Sequence, residues 1–570
     1  MAALQPLSEA LVGLLNEIPR RKDVSLEERP QNHSWIVKIL DDLARILVCK
    51  DGESVAVGMQ PDLNSGRGNI IITVASSGSS DPEAKADQLY DVLTRMQDIG
   101  FRFREYKKEL VMDNDELPSE KDLPGELQGK LADFRESIYK FCIVKIWQLL
   151  QRDYTAQARR YLLQLLNDNS DVVDGLKGVL QFLNGCYSLL SQNRSHINKI
   201  SGYSLETLAM GMSHGYRHSK KVFAKEGWES ELRRNLAGEA RVFPFEWFIT
   251  QITAIAYSTE RLIKFALSKK CYYRYLDPAR RALSVKCLPN EGEQQIVNLP
   301  PAHTMKTTSE TIFHKLIPAV FDYPAVESIT PWTTLAQKHP KRPLLASVHP
   351  ECRLALHFIR ENRKQKYHAF GYIGTSTSST CLACWTLARV LRALYGITFK
   401  MQATHGRANF PWKFPSLELR ESGLSERIRD GITNDFFCDL ACEYARRICG
   451  CLENPVSPRS AVSGSMMHAD ADEEDFELAA AKLRAEESQK AKWCAFAVEE
   501  GDDDDTDSDS DSDTEDDSDL KLRGRLQMPV RGRGKWKVWR GRRMYSRNTC
   551  RASYMKLELH RGTEVCILSG

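Results

Sequence analysis

Apolar residues at helical spacing dominate the first half of the chain. Leu4, Leu7, Leu11, Leu14 and Leu15 make one face that closes near Pro19, and Ile36, Ile39, Leu40, Leu43, Ile46 and Leu47 make another. Two short apolar runs, 55–59 and 69–75, break this rhythm. With the turn-rich Pro61-Asp62-Leu63-Asn64-Ser65-Gly66 between them they predict a β-pair. Ser80-Asp81-Pro82-Glu83 caps a helix running to about Ile99, and residues 113–124 form an acidic linker. Helical periodicity returns over 131–192, carried by Phe134, Ile138, Ile146, Leu150 and Tyr161 among others, and again over 245–275. Stripes at this spacing predict core. Residues 1–270 therefore read as a mainly α-helical region, an interaction or scaffolding unit whose protein partner the sequence leaves unknown.

From about residue 271 the pattern changes. Residues 282–288 and 295–299 are strand candidates around Pro289-Asn290-Glu291-Gly292 and predict the opening hairpin of a sheet, with a helical stretch over 310–317 after them. Residues 344–348 read as a buried strand, 352–362 as a buried helix with Leu354, Leu356, Phe358 and Ile359, and 367–373 as a second strand. Another helix begins near Thr380, with Ser378, Ser379 and Thr380 as candidate N-caps, and a strand follows at 398–403.

The polar residues at the two helix starts carry the chemistry. Val348-His349-Pro350-Glu351 opens the first helix and Cys381-Leu382-Ala383-Cys384 the second, 381 − 349 = 32 positions later. In mid-helix His349 and Glu351 would point roughly 200° apart. At a helix start they can share a site, and Pro350 favours that placement because its missing N–H costs nothing at the first helical position. Cys381 and Cys384 lie i, i+3 on one face, and a helix N-terminus stabilises thiolate. The order H-x-E … C-x-x-C is that of zinc-dependent nucleobase deaminases. Neutral His349 and two thiolates offset the charge of Zn²⁺ and fill three of four tetrahedral positions, which leaves one for water. Glu351 is then the group that takes the water's proton and passes it to the ring nitrogen and the leaving ammonia. A C-x-x-C pair alone also fits a redox pair, buried cysteines or structural zinc. The non-ligand glutamate separates these readings, because structural zinc sites close their fourth position with protein.

The run Tyr372-Ile373-Gly374-Thr375-Ser376 through Cys384, followed by Thr404-His405-Gly406-Arg407 and Trp412…Pro415, resembles the OTT-type deaminases, a fungal-expanded branch of the zinc-dependent nucleic-acid and nucleotide deaminase superfamily. The resemblance spans roughly residues 344–451. It implies a deaminase-like α/β/α sandwich, His349, Cys381 and Cys384 as zinc ligands, and Glu351 as proton shuttle. Thr380 stands where many members carry proline before the first cysteine, a departure that leaves metal binding intact and weakens any transfer of substrate preference from better-known branches. The loop from His405 to Trp412 brings imidazole, guanidinium and indole together. His405, Arg407 and Trp412 are therefore substrate-binding candidates that could hold a flipped base by stacking and phosphate contact; the alternative is a surface loop anchored by Trp412.

Composition changes this picture little until the end of the chain. At 570 residues, 42% hydrophobic and 27% charged, the chain is of ordinary globular composition, and a net charge of +3 predicts no strong steering of partners. Fifteen cysteines, an odd count, the absence of a signal-like N-terminus and the absence of any long apolar run predict an intracellular protein, cytoplasmic or nuclear, with no membrane association. Cys438, Cys442 and Cys449 fall at steps of four and seven, a buried helix face rather than a second metal site. Residues 453–570 read as a disordered tail. Within it, 499–519 holds 14 acidic residues in 21, whereas 521–556 holds 13 Lys/Arg and no acid, interleaved with Trp536 and Trp539. The expected organisation is thus an α/β protein: helical 1–270, a deaminase-like zinc domain over 271–452, and the tail. The expected function is zinc-dependent hydrolytic deamination of cytosine or adenine in nucleic acid or a nucleotide. The alternative is a non-catalytic, zinc-stabilised scaffold, or a nucleic-acid-binding protein using the helical half and basic tail.

Overall fold

The computed structural model describes, apart from short gaps, residues 4–18, 35–110, 120–316 and 344–453 and the strands 553–559 and 563–569. The acidic block of the tail, its basic block as far as residue 552 and most of the acidic linker lie outside the described residues; the expectation of disorder throughout 453–570 is corrected at 553–569, where two strands pair as a hairpin. No described helix is long and apolar enough to cross a membrane.

In chain order the elements are α1 (Leu4–Glu17), α2 (Trp35–Ile46), the strands β1 (Val55–Pro61) and β2 (Ile70–Ser76), and α3 (Pro82–Leu110). A helical block follows: α4 (Gly125–Gln151), α5 (Asp153–Gln164), α6 (Asp171–Gln192), α7 (Tyr203–Phe223), α8 (Trp228–Asn235) and α9 (Phe245–Leu267). Then come β3 (Leu283–Cys287), β4 (Gln295–Val297), α10 (Ala302–Thr311), β5 (Leu344–Ala346), α11 (Pro350–Lys364), β6 (Phe370–Thr375), α12 (Leu382–Tyr395) and β7 (Thr398–Met401). α13 (Ser416–Glu421), α14 (Glu426–Glu453) and the hairpin β8 (Ser553–Leu559)–β9 (Thr563–Ser569) complete the chain.

Five strands form one sheet in the order β3-β2-β1-β6-β7. β1 runs antiparallel to both β2 and β6, while β2–β3 and β6–β7 are parallel, so four strands share a direction and β1 opposes them. The expected boundary at residue 270 therefore cuts through the sheet, because Ala56 pairs with Thr375 and Met59 with Tyr372. The reason is legible in the strands themselves. β1 and β2 are buried along almost their whole length, which suits interior strands covered on both faces and not a hairpin attached to a helical unit. The expected opening hairpin is likewise corrected: β3 pairs with β2, and β4 pairs with β5 in a separate two-stranded sheet.

Side-chain alternation divides the core. Val55, Val57 and Met59 of β1 and Ile70, Ile72 and Val74 of β2 face one cluster with α2, α3 and the helical block. Ala56, Ala75 and Ile373 face the other, built from α1, α11, α12 and α14. Helices thus cover both faces. Small residues let them approach closely: a Cβ on Gly371 would lie 2.5 Å from the Phe358 ring of α11, and one on Gly374 would lie 2.3 Å from the α2 backbone at Leu40 and Asp41.

That close approach places a carboxylate in the core. Asp41 Oδ1 accepts the Thr375 N–H at 2.6 Å, and its other oxygen has no hydrogen-bond donor among the described residues. Burial pushes this carboxyl up to about 8, although the Thr375 N–H and Arg45 pull the other way. The folded state therefore holds a proton that the unfolded chain releases near pH 4, so this group's contribution to stability is complete below that pH and is lost as pH rises toward 8. The loss amounts to about 1.4 kcal/mol per pH unit across the window. Asp41→Asn, which keeps the acceptor for Thr375, is expected to flatten this dependence. Denaturant midpoints of both proteins at several pH values between 4 and 8 check it; parallel slopes would refute the assignment.

Candidate metal centre

The four like-oriented strands end at one edge of the sheet, and the helices that carry the H-x-E and C-x-x-C residues begin there. Open α/β sheets offer binding sites at the carboxyl ends of their strands. Arg353, in the first turn of α11, donates from Nη1 to the carbonyl of Ser76 at the end of β2 (3.1 Å). α12 starts seven residues after the end of β6.

Both motifs sit at helix starts, as the sequence predicts. The His349 carbonyl accepts from the N–H groups of Cys352 (3.0 Å) and Arg353 (3.2 Å), so His349 is the residue before the helix and Pro350 its first position. The Cys381 carbonyl accepts the Trp385 N–H at 2.9 Å, which makes Cys381 itself the cap of α12 in place of Ser378, Ser379 or Thr380. Thr380 instead bridges to Thr404 and donates its hydroxyl to the Gln402 carbonyl (2.9 Å).

The metal-ligating atoms of His349, Cys381 and Cys384 all lie within 4.8 Å of one another, and no other such residue joins them among the described residues. His349 Nδ1 lies 3.3 Å from Cys384 Sγ. Glu351 Oε1 stands 3.9 Å from His349 Nδ1 with its side chain 8% exposed, beside the group and not within it. Burial works against a charged His349, but the Cys381 sulfur and the Glu351 carboxylate outweigh it and its pKa lies above the usual value. Burial holds the Cys381 and Cys384 thiols well above their usual range.

Each sulfur also receives an N–H. The backbone of Asn409 donates to Cys381 Sγ at 3.3 Å and the indole Nε1–H of Trp412 to Cys384 Sγ at 3.4 Å. Neutral thiols accept hydrogen bonds weakly. Two donors aimed at two buried sulfurs suit thiolates, and buried thiolates need a cation. The donor set therefore fits a thiolate-binding metal, with imidazole and two sulfurs as first ligands.

Residues 348–416 match the family model of the OTT_1508-like deaminases. This segment is deaminase-like. The match covers 416 − 348 + 1 = 69 residues, narrower than the resemblance at 344–451, and it contains the whole His349–Cys381–Cys384 group, Glu351, Asn409 and Trp412. No curated protein and no solved structure matches the chain.

The remaining predicted residues of the deaminase-like segment separate. Arg407 is exposed, and its carbonyl accepts the Leu382 N–H at 2.8 Å, pinning the loop to the start of α12. His405 lies outside the described residues. Trp412 is fully buried, stacked on Phe436 of α14 with ring centroids 5.3 Å apart, and has no face for a base. The stacking role expected of it does not fit this position; it packs behind the sulfurs.

Three residues that sequence reasoning missed hold the loop. Glu9 of α1 accepts the Phe414 N–H (3.0 Å) and pairs with Lys413 Nζ (3.3 Å). Buried Arg447 of α14 donates to the carbonyls of Leu15 (2.8 Å) and Gly406 and pairs with Glu443 (3.1 Å). The available signal was a charge among buried positions: Glu9 is 1% and Arg447 6% exposed, each on a helix otherwise rich in apolar contacts. The third, Asn409, acts through its backbone, for which a sequence offers no signal.

Proposed function

We propose that the protein is a zinc-dependent hydrolytic deaminase acting on a cytosine or adenine base in nucleic acid or a nucleotide. The observation that carries this reading is the convergence of His349, Cys381 and Cys384 beside the buried, non-ligand Glu351, inside the deaminase-like segment. Zinc held by those three residues would supply the Lewis acidity that activates water at neutral pH. Glu351, in the first turn of α11, accepts a proton from the attacking water and delivers it to the ring nitrogen, then carries the second proton, from the hydroxyl so formed on the ring carbon, to the departing amino group. The bond between the ring carbon and the exocyclic nitrogen breaks, and the balance is amino base plus water to oxo base plus ammonia. His349 and Cys381, placed at helix starts, keep the ligand geometry fixed while that proton moves.

The test is zinc content of the purified full chain. One zinc per chain is expected, lost in Cys381→Ser. Ammonia release is then assayed with single-stranded DNA, single-stranded RNA and free cytosine and adenine nucleotides. A wild-type protein without stoichiometric metal, with Cys381→Ser folding and behaving identically, sinks the proposal.

A further inference from the structure

We infer that Trp412 is a positioning residue whose indole N–H tunes the metal-binding sulfur of Cys384, and that the segment from Thr404 to Trp412 acts as a sulfur-donor arm clamped in place by the N-terminal helix α1. The inference rests on the deaminase reading above and deepens it.

The arm spans 412 − 404 + 1 = 9 residues and serves both sulfurs, with the Asn409 N–H on Cys381 and the Trp412 indole on Cys384. A buried indole N–H requires an acceptor. Trp412 is fully buried, and its hydrogen-bond acceptor is a ligand sulfur. Its ring is fixed by stacking on Phe436 and an edge contact with Phe414 at 6.1 Å. The backbone of the arm is pinned at several points. Gly406 adopts a left-handed φ of 80°, and its N–H bonds Thr404 Oγ1 at 3.0 Å. Arg447 reaches from α14 to the Gly406 carbonyl while also bonding the Leu15 carbonyl of α1. At the far end Glu9 of α1 holds the Phe414 N–H and Lys413.

A packing role alone would be satisfied by any large aromatic ring at 412. A donor aimed at a ligand sulfur does something further. It draws electron density from the thiolate, weakens its donation to the metal, and so leaves the metal a stronger Lewis acid; partners of this kind typically change metal affinity or activity 10–100-fold. The arm and α1 thus belong to the functional unit although α1 precedes the first ligand by more than 300 residues in sequence: 349 − 17 = 332.

The experiment uses the full chain loaded with Co²⁺, whose sulfur-to-metal charge-transfer absorption reports on the thiolates directly. Trp412→Phe keeps a ring against Phe436 and removes the N–H. It is expected to bind one cobalt per chain, with the charge-transfer band moved to lower energy and cobalt affinity changed about tenfold or more. Glu9→Ala, which removes the hold of α1 on Lys413 and Phe414 and leaves the Arg447 tie in place, is expected to move the same band in the same direction. If Trp412→Phe folds poorly, site-specific incorporation of 3-benzothienylalanine at 412 keeps the ring shape without the donor and gives the same readout. A wild-type chain that binds no cobalt overturns the deaminase reading itself. A wild-type chain that shows the band, with Trp412→Phe and the benzothienyl variant leaving its energy unchanged, overturns the tuning role alone.

Discussion

Glu351→Gln is expected to keep one zinc per chain while ammonia release falls about 10²–10⁴-fold, the range that a positioned acid–base group contributes. Glutamine matches the volume of the side chain and can still hydrogen-bond, but it cannot take a proton. Because Glu351 lies beside the ligand group and not in it, removing its charge leaves His349, Cys381 and Cys384 with all three donor atoms. His349 gains part of its raised pKa from the Glu351 carboxylate, so its pKa is expected to move down in the variant. Zinc stoichiometry and turnover measured on the same preparation check both halves. Loss of zinc together with turnover would make Glu351 a ligand or a folding residue and remove it from the proton path.

Arg447→Met is expected to destabilise the folded unit by about 3–5 kcal/mol, the cost of breaking a buried ion pair from one side. Methionine fills much of the same volume, so the loss is one of partners. Glu443 would keep its charge with only Arg446 beside it, and the carbonyls of Leu15 and Gly406 would lose a donor in a region closed to water. Urea unfolding of the full chain followed by circular dichroism measures it. Arg447→Lys retains the charge without the planar fork and should fall between the two. A loss under about 1 kcal/mol for Arg447→Met, the range of an exposed pair, would mean that the network is solvated and does not hold the arm.

The helix starts at Pro350 and near Cys381 were legible because capping and proline placement are local rules. The metal group followed from them, since two helix starts at the same sheet edge bring His349, Cys381 and Cys384 together. The strands of β1 and β2 were legible as a pair, but their partner was not. β6 joins β1 with Ala56 opposite Thr375, and no periodicity encodes which distant strand will fill an edge. The unbroken apolar character of both strands carried the missed hint of an interior position. Trp412 was misplaced for a related reason. A tryptophan between glycine-, asparagine- and proline-rich residues fits a surface platform or a core anchor equally well, and the deciding neighbour, Phe436, lies on α14. The apolar faces of α1 and α2 were read correctly, although the surfaces they cover, α14 and the sheet, are far away in the chain, and the burial of Glu9 and Asp41 on their other sides was not foreseen.

The pairing of Ala56 with Thr375 also sets a timetable for synthesis. The two positions are separated by 375 − 56 = 319 residues. At translation rates of about 5–20 residues per second, β1 emerges roughly 15–60 s before the strand it will pair with. Through that interval one edge of an apolar hairpin offers open backbone groups, the arrangement most prone to pairing with the wrong chain. The helical block between β2 and β3 leaves the ribosome during the wait and can fold on α2 and α3, covering one face of the hairpin early. The other face and the metal ligands close last. Maturation of the site is therefore a late event in synthesis, and conditions that slow the second half of the chain would be felt first as aggregation of the nascent protein.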